Sequence, residues 1–542
     1  PHVADSFTIS DDIVKELAFE GEATVTVDGQ AVQDLTVTTE GQRLTVTFGK
    51  DQVKQYAGKA VQVSFKAKVK EGITFDALLA AYPNESKDKP VVPNTASYII
   101  NDNPDSKKES KPVTVTPPPT TTPELKKEVN GAERYDLAKR NEEFTYTLKT
   151  TMPASATVFE MTDELKEVLE FVGENASATV KLDGEDAGSK ATVTLSGQVI
   201  KVAFTEASVK ADAGKSIEVN FKAKIRDNAN LSAYVNKDGK TEIPNKASYD
   251  IDHNPKYHKD SNEVPVTPPT PEEPEIKKDV NGKESATLAK RDEVFTYNVK
   301  TSVAQDATAF SVTDTLVDVL EFAGTSSAKL NGQALDASQI KVEGQTITLT
   351  LTEDQVKANG GQAVELTFDA KIKAGANLSA YVKEDGRTQI PNKASYDASF
   401  PHKPGVHKDS NEVPVTPPTP DEPEIKKDVN GKAEETLAKR DEVFTYNVKT
   451  TVAQDATAFS VTDTLVDVLE FAGTSSAKLN GQALDASQIK VEGQTITLTL
   501  TEDQVKANGG QAVELTFDAK IKAGANLSAY VKEDGRTQIP NK

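Results

Sequence analysis

The chain has 542 residues, too many for one hydrophobic core, and at about 100–200 residues per domain it predicts roughly three to five domains. Its 63 basic and 84 acidic residues give a formal net charge of −21, which argues against nucleic acid and anionic membrane surfaces as partners. It has no cysteine, so neither disulfides nor Cys-based metal sites can brace the domains. No apolar run is long enough to span a membrane, and no cofactor motif is evident, so we expect no cofactor.

Internal repetition is the strongest signal in the sequence. Residues 303–393 recur unchanged as residues 452–542, an offset of 149 (452 − 303), and residues 124–249 are a diverged copy. Both chain ends fall inside a copy, so we expect a piece of a longer protein. The predicted domains, called repeats 1 to 4, are residues 1–116 (a partial repeat lacking its first strand), 117–267, 268–416 and 417–542 (truncated at its last strand).

The first predicted strand of repeat 3 places a lysine among apolar residues. Side chains two apart share one face of a strand, so Ile276, Lys278 and Val280 point one way while Lys277 and Asp279 point the other. An unpaired buried ammonium is costly, so such a lysine must lose its proton, find a partner or react. Lys127 and Lys427 are the equivalent residues of repeats 2 and 4.

Three later stretches of repeat 3 alternate with a period of two, which predicts half-buried strands. They are residues 295–300, 345–351 and 364–372. Asn331-Gly332 and Glu343-Gly344 predict tight turns. Many short strands between such turns indicate an all-β chain of tandem immunoglobulin-like β-sandwich domains.

Two stretches carry helical signals. Thr352 and Gln355 form the pattern of a capping box, which predicts a helix that ends at Gly360-Gly361. Residues 314–320 have apolar residues at helical spacing and are compatible with another short helix. The sandwiches are therefore expected to contain short helical insertions.

Proline-rich stretches lie between the repeats, at residues 113–119, 264–271 and 413–420. Such proline density favours an extended polyproline conformation, so we interpret these stretches as semi-rigid spacers. The domains are then expected to form a beaded rod. Recognition of the prolines as a signalling ligand is a weaker interpretation, because spacing alone explains their placement.

Three polar positions keep their order in every complete repeat: the inward lysine, an aspartate at the end of a later strand, and an asparagine on the last strand. The lysine-to-aspartate separation is 36 residues each time (163 − 127, 314 − 278, 463 − 427). Repeat 1 keeps the aspartate and the asparagine as Asp11 and Asn94, and its lysine would precede Pro1.

These motifs resemble the isopeptide-forming, immunoglobulin-like (fimbrial D2-type) domains of Gram-positive, chiefly streptococcal, cell-wall-anchored adhesins and pilins, with relatives in antigen I/II adhesins. The resemblance rests on the I/L-x-K-x-V first strand, the T-D-x-L segment at Thr313 and the I-P-N-K-A-S-Y strand at Ile390, and it covers nearly the whole chain.

The resemblance implies that lysine and asparagine join spontaneously and release ammonia, with the aspartate as catalyst. It assigns these roles to Lys127, Asp163 and Asn245; Lys278, Asp314 and Asn392; and Lys427, Asp463 and Asn541. Burial would favour a neutral amine and a protonated aspartic acid. The acid is expected to hydrogen-bond the asparagine oxygen and to pass a proton to the leaving ammonia.

Each residue also has a plain structural interpretation. Asp314 fits a helix N-cap, Asn392 a turn, and Lys278 a surface lysine whose stem covers apolar neighbours. Lys126, Lys277 and Lys426 are the register alternatives. The recurrence of all three positions in a chain without cysteine favours the covalent interpretation.

Metal sites are the weaker candidates. His253 and His258, like His402 and His407, lie near carboxylates, but such pairs are usually solvated loop histidines. Residues 183–186 lack the full ligand spacing of a calcium loop and fit an acidic turn better. We therefore expect no metal.

The leading hypothesis is the stalk of a Gram-positive surface adhesin, outside the cell and anchored to the cell wall by parts beyond this chain. Its partner would be a host or bacterial surface protein or glycan, bound outside these residues. One rival is a pilus shaft subunit, although Tyr82-Pro83-Asn84 lacks the lysine of a Y-P-K-N-like sortase motif. In another rival the repeats themselves bind a matrix protein or glycan. An enzyme acting on external substrates is not expected.

Overall fold

The computed structural model describes residues 4–542. The chain divides into two compact units, residues 1–270 with repeats 1 and 2 and residues 271–542 with repeats 3 and 4. Across the described residues, no helix has the length and apolar character needed to cross a membrane.

The described residues of the unit 1–270 form short strands and three α-helices. Repeat 1 contains β1 (Phe7–Asp12), β2 (Leu17–Val27), β3 (Gln30–Ala31), β4 (Thr36–Glu40), β5 (Arg43–Phe48), α1 (Lys50–Tyr56), β6 (Val61–Val69), α2 (Phe75–Ala81), β7 (Val92–Asn94), β8 (Ala96–Ile100), β9 (Asn103–Glu109) and β10 (Val113–Val115). Repeat 2 contains β11 (Lys126–Val129), β12 (Tyr135–Asp136), β13 (Phe144–Thr151), β14 (Phe159–Glu164), β15 (Leu169–Phe171), β16 (Thr179–Leu182), β17 (Glu185–Asp186), β18 (Ala191–Ser196), β19 (Val199–Phe204), α3 (Glu206–Ala211), β20 (Ser216–Ile225), β21 (Ile243–Asn245), β22 (Ala247–Ile251), β23 (Lys259–Asp260) and β24 (Val264–Thr267).

The unit of residues 271–542 repeats this pattern. Repeat 3 contains β25 (Lys277–Val280), β26 (Ala286–Thr287), β27 (Phe295–Ser302), β28 (Ala309–Thr315), β29 (Leu320–Leu330), β30 (Gln333–Ala334), β31 (Ile340–Glu343), β32 (Thr346–Thr350), α4 (Glu353–Ala358), β33 (Ala363–Ile372), β34 (Ile390–Asn392), β35 (Ala394–Phe400), β36 (Lys403–Asp409) and β37 (Val413–Thr416). Repeat 4 contains β38 (Lys426–Val429), β39 (Phe444–Thr451), β40 (Ser460–Thr464), β41 (Leu469–Leu479), β42 (Gln482–Ala483), β43 (Ile489–Glu492), β44 (Thr495–Thr499), α5 (Glu502–Ala507) and β45 (Ala512–Ile521).

Repeat 3 shows how the strands build a sandwich. One sheet has the order β25-β27-β33-β29-β30 and a second has the order β31-β32-β28-β35-β36. Tyr297 and Phe368 from the first sheet and Phe310 and Tyr396 from the second belong to one buried core. Alternate residues of these strands face that core, as the period of two predicts. The predicted tandem immunoglobulin-like β-sandwich fold is confirmed.

The repeats differ in completeness. Repeat 2 has both large sheets, β11-β13-β20-β16-β17 and β18-β19-β14-β22-β23. Within the described residues, repeat 4 has the first sheet but only β40-β44-β43 of the second. Repeat 1 has the complete second sheet but only β3-β2-β6 of the first.

The predicted turns and helix of repeat 3 are present. Asn331 and Gly332 have φ of 49° and 76° between β29 and β30, the left-handed pair of a two-residue hairpin. Gly344 has φ of 61° between β31 and β32. Helix α4 has the predicted capping box of Thr352 and Gln355, and it ends at Ala358.

The expected helix at residues 314–320 is wrong. Strand β28 continues to Thr315, and β29 begins at Leu320 after a turn. Leu316 donates its backbone N–H to the Gln345 carbonyl, and the Gln345 side chain donates to the carbonyl of Leu320 at 3.0 Å. The apolar residues of this stretch have helical spacing because the end of β28, the turn and the start of β29 all face the same core.

The interpretation of the proline-rich stretches as spacers is wrong for the first residues of each stretch, which form strands. Residues 264–267 and 413–416 form β24 and β37, each of which pairs antiparallel with the asparagine strand of its own repeat. Pro265 lies opposite Pro244, where neither residue needs to donate a hydrogen bond to the other strand. The β-branched residues that flank the prolines therefore make these segments part of the sandwich.

Candidate functional site

The lysine of the first strand points into the core, as predicted. Ile276, Lys278 and Val280 have exposed fractions of 4%, 3% and 0%, whereas Lys277 is exposed. Strand β25 is the edge strand of its sheet and pairs with β27, which sets this register. The equivalent Lys127 is 0% exposed. The register alternatives Lys126, Lys277 and Lys426 are all exposed.

The aspartate and the asparagine reach the same place from other strands. Asp314 lies on β28 between β32 and β35 and is 0% exposed, so it is a strand residue and not a helix N-cap. Asn392 ends β34 and is 3% exposed. Both side chains lie on the inner face of their strands, so they meet the lysine side chain in the core.

The aspartate bridges the other two side chains. In repeat 3 the Lys278 Nζ donates to Asp314 Oδ2, and Asn392 Nδ2 donates to Asp314 Oδ1 at 2.8 Å. Repeat 2 has the same contacts, from Lys127 to Asp163 and from Asn245 to Asp163 at 2.8 Å. The structure thus brings together each lysine, aspartate and asparagine that the sequence singled out in these two repeats.

The amide orientation differs from the expected one. The asparagine nitrogen, and not its oxygen, faces the aspartate. The Oδ1 atoms of Asn245 and Asn392 are buried and have no hydrogen-bond partner in the part of the chain that the structure describes. The aspartate therefore lies beside the atom that would leave as ammonia.

Burial shifts the proton affinities of both partners. It lowers the pKa of Lys278 to about 8 and also lowers the pKa of Lys127, because the ammonium form loses its hydration. It raises the pKa of Asp314 and of Asp163 for the same reason. Both shifts favour a neutral amine beside a protonated carboxylic acid.

Two aromatic rings line the lysine amine. Lys278 Nζ lies 3.9 Å from the ring centre of Tyr297 and 5.2 Å from that of Phe368. Lys127 Nζ lies 4.1 Å from the Tyr146 ring centre. Sequence reasoning missed the tyrosine, although it follows the lysine at one fixed spacing of 19 residues (297 − 278, 146 − 127).

A second asparagine holds the lysine backbone and was also missed. Asn411 accepts the backbone N–H of Lys278 at 2.9 Å and donates to the Lys278 carbonyl at 2.9 Å. Asn262 makes the same pair of bonds to Lys127, at 2.8 and 2.9 Å. The shared Lys-Asp-Ser-Asn-Glu-Val-Pro-Val-Thr stretch in repeats 2 and 3 was the available signal.

The site of repeat 4 is more open. Lys427 contacts Asp463, and Asn541 Nδ2 donates to Asp463 Oδ1 at 2.7 Å, while burial lowers the pKa of Lys427. The Lys427 side chain is 17% exposed, against 0% for Lys278. Ile425, at the position of the buried Ile276, is 64% exposed.

Repeat 1 holds half of the site. Asn94 Nδ2 donates to Asp11 Oδ2 at 3.0 Å, and burial raises the pKa of Asp11. The second oxygen of Asp11 is buried without a hydrogen-bond partner among the described residues. In repeats 2 and 3 the lysine contacts the aspartate oxygen that the asparagine does not contact.

Three of the candidate histidines, His253, His258 and His407, lie within ion-pair distance of carboxylates. His258 lies 2.8 Å from Asp250, and His407 lies 2.8 Å from Asp397. Within residues 4–542 no group of three His, Cys, Asp or Glu side chains is arranged to hold a metal ion. Residues 183–184 form the turn between β16 and β17, as the acidic-turn interpretation predicted.

The whole chain matches one curated protein closely. It is 59% identical over 544 aligned residues to Platelet adherence protein A of Streptococcus gordonii, covering 100% of this chain and 15% of that protein. The chain is a homologue of a streptococcal adhesin. It spans about one seventh of that relative's length, and no family model matches it.

The comparison with solved structures finds distant similarity to bacterial pilins. The major pilin BcpA of Bacillus cereus matches 77% of this chain and 92% of its own, with 14% identity and a TM-score of 0.26. The major pilin SpaD of Corynebacterium diphtheriae matches 77% and 84%, with 13% identity and a TM-score of 0.21. Values this low support no conclusion about function or partners.

Proposed function

We propose that the chain is a stalk segment of a Gram-positive surface adhesin, braced in each complete domain by a Lys–Asn isopeptide bond. The main support is that a buried lysine, aspartate and asparagine contact one another in the same way in repeats 2 and 3. A buried ion pair without further chemistry is a weak source of stability. A covalent cross-link would give these residues a function that such a pair lacks.

The reaction needs no cofactor. In repeat 3, the neutral Nζ of Lys278 attacks Cγ of Asn392. An Nζ–Cγ bond forms, the Cγ–Nδ2 bond breaks, and one lysine hydrogen passes to Nδ2, which leaves as ammonia. Atoms and electrons balance, since one amine and one carboxamide give one secondary amide and ammonia.

Asp314 is the proposed proton shuttle. Its two oxygens contact the attacking nitrogen and the leaving nitrogen, so it can accept a proton from one and give it to the other. Its pKa, raised by burial, favours the protonated acid from which this transfer starts. Asp163 has the same contacts in repeat 2.

Peptide mapping tests the proposal. After digestion of the folded chain, tandem mass spectrometry should find Lys278 joined to Asn392 and Lys127 joined to Asn245, each pair lighter by one ammonia than its two peptides. The exposed neighbours Lys277 and Lys126 are internal controls and should remain free. Unlinked peptides containing intact Lys278 and Asn392 would refute the proposal.

The adhesive role and the location outside the cell are part of the same proposal. The relative's name indicates adherence to platelets, and we propose that the protein containing this chain also binds a surface protein or glycan. Braced sandwiches in tandem would space the binding region from the cell wall. Saturable binding of this chain alone to platelets would assign the binding to the repeats and refute a pure stalk.

A further inference from the structure

Repeats 2 and 3 each contain a buried tyrosine hydroxyl that bonds to nothing. Tyr146 and Tyr297 are 0% exposed, and the Oη atom of each has no hydrogen-bond partner among the residues that the structure describes. A buried donor without a partner costs free energy. Phe295, the preceding inward residue of β27, packs in the same core without a hydroxyl. The recurrence of an unpartnered hydroxyl in both repeats therefore indicates a role other than packing.

The tyrosine lies against the attacking amine. Lys278 is opposite Val299 in the register of β25 and β27, and Tyr297 is two residues from Val299 on the same face. Tyr297 is thus a diagonal neighbour of Lys278, within reach of its long side chain. The Lys278 Nζ lies 3.9 Å from the centre of the Tyr297 ring, and Lys127 Nζ lies 4.1 Å from that of Tyr146. The hydroxyl therefore belongs to a ring that borders the reacting atoms.

An acceptor in the same site is also unpartnered. Asn392 donates its Nδ2 to Asp314, while its Oδ1 is buried and accepts from no described residue. Asn245 has the same arrangement with Asp163. Attack on Cγ would move the π electrons of the carboxamide onto Oδ1, so negative charge develops on that oxygen. Each site therefore contains one unpartnered donor and one unpartnered acceptor that will need a donor.

The hydroxyl remains protonated beside the asparagine. Burial, and after it the charge of Asp314, raises the pKa of Tyr297, so this group is a donor and not a base. The neighbouring Asn392 side chain opposes part of that rise in pKa. The pKa of Tyr146 is raised for the same reasons, with Asn245 as the neighbour that opposes the rise.

We propose that the Tyr297 hydroxyl donates a hydrogen bond to Oδ1 of Asn392 as the isopeptide bond forms, and that Tyr146 does the same for Asn245. This inference rests on the proposed isopeptide chemistry and adds a catalytic residue to it. Catalytic hydrogen bonds are often long before the reaction and tighten in the transition state.

The hydroxyl changes no atom balance of the reaction. As the Nζ–Cγ bond forms, the carbonyl π pair moves onto Oδ1, and it returns when the Cγ–Nδ2 bond breaks and ammonia leaves. The tyrosine keeps its proton throughout, since Asp314 carries the proton from the attacking to the leaving nitrogen. In the linked product the same hydroxyl donates to the carbonyl oxygen of the new amide.

Tyr297→Phe tests this role. The full chain is isolated unfolded from inclusion bodies and refolded, and peptide mapping over time follows the ammonia loss of each repeat. Loss of one oxyanion donor should slow closure of repeat 3 by about a hundredfold, while repeat 2 closes at the parent rate. Tyr146→Phe should slow repeat 2 alone. Parent rates in both repeats of both variants would overturn the proposal.

A second comparison separates catalysis from a structural effect. In an Asn392→Ala chain repeat 3 cannot close, so its melting temperature reports packing alone. Adding Tyr297→Phe to that chain should leave the melting temperature unchanged or raise it, because only an unpartnered hydroxyl is removed. A clear drop would show that the hydroxyl supports the fold, and it would overturn the catalytic assignment.

A more acidic phenol provides the rescue. A chain with 3-fluorotyrosine in place of Tyr297 has a stronger hydrogen-bond donor of nearly the same size, and repeat 3 should close at the parent rate or faster. Closure as slow as in the Tyr297→Phe chain would overturn the proposal.

The outcomes distinguish this inference from the proposed function. Ammonia losses in the parent that proceed equally fast in both phenylalanine variants would overturn the role of the tyrosines alone. Absence of every ammonia loss from the folded parent would overturn both.

Discussion

The side chain of Asn411 bonds both backbone groups of Lys278, accepting from its N–H and donating to its carbonyl, each at 2.9 Å. This contact ties the edge strand with the lysine to the segment that leads into β37. Asn411 does not contact the reacting atoms, so it is a positioning residue. Pre-organised geometry accounts for a large share of the rate of such reactions.

Asn411→Ala should slow closure of repeat 3 without unfolding it, because only the two strand-positioning bonds are lost. We expect at least a tenfold slower ammonia loss. The chain is isolated unfolded from inclusion bodies, refolded, and sampled by mass spectrometry. Repeat 2, with Asn262 intact, is the matched control in the same molecule. Equal closure times in the two repeats would show that Asn411 has no positioning role.

Lys278→Ala should destabilise repeat 3. The proposed bond closes a loop of 114 residues (392 − 278), and the loop-closure argument used for disulfides gives roughly 4–5 kcal/mol for such a loop. Calorimetry should show one unfolding transition moved to lower temperature by many degrees. Lys277→Ala, which removes an exposed lysine from the same strand, is the control. If both variants melt like the parent, no bond braces the domain.

Closure should have a bell-shaped dependence on pH. The reactive state holds one proton, with Lys278 neutral and Asp314 protonated, and burial favours it by lowering the first pKa and raising the second. At low pH a second proton binds and converts the Lys278 amine to an ammonium. At high pH the one shared proton is lost and Asp314 becomes a carboxylate. Refolding across about pH 4–10 should therefore show a maximum. A closure rate that only rises with pH would indicate that the neutral amine reacts without catalysis by Asp314.

Repeat 4 should close less completely than repeats 2 and 3. Lys427 is more exposed than Lys278, and residues 417–542 include no asparagine that bonds the Lys427 backbone as Asn411 bonds that of Lys278. Appending a copy of residues 394–416 after Lys542 should raise its yield to that of repeat 3. An unchanged yield would show that the added residues have no effect on closure.

The sequence predicted the fold and the three buried polar positions of each complete repeat, because alternation, recurrence and the resemblance to isopeptide-forming domains all pointed to them. Alternation placed Lys278 inward, and the fixed separations placed Asp314 and Asn392 on later strands. Asn411 and Tyr297 were missed because they act through tertiary contacts that no local period reports. The helix expected at residues 314–320 failed because helical spacing also arises when a strand, a turn and a second strand face one core.

Intact mass of the folded chain tests the central claim most directly. The parent should be lighter than its sequence by one ammonia for each closed repeat, with repeats 2 and 3 complete. Asp163→Ala and Asp314→Ala should each restore one ammonia mass while circular dichroism shows the β-sheet fold unchanged. A folded parent whose mass equals the sum of its sequence would contradict the isopeptide account.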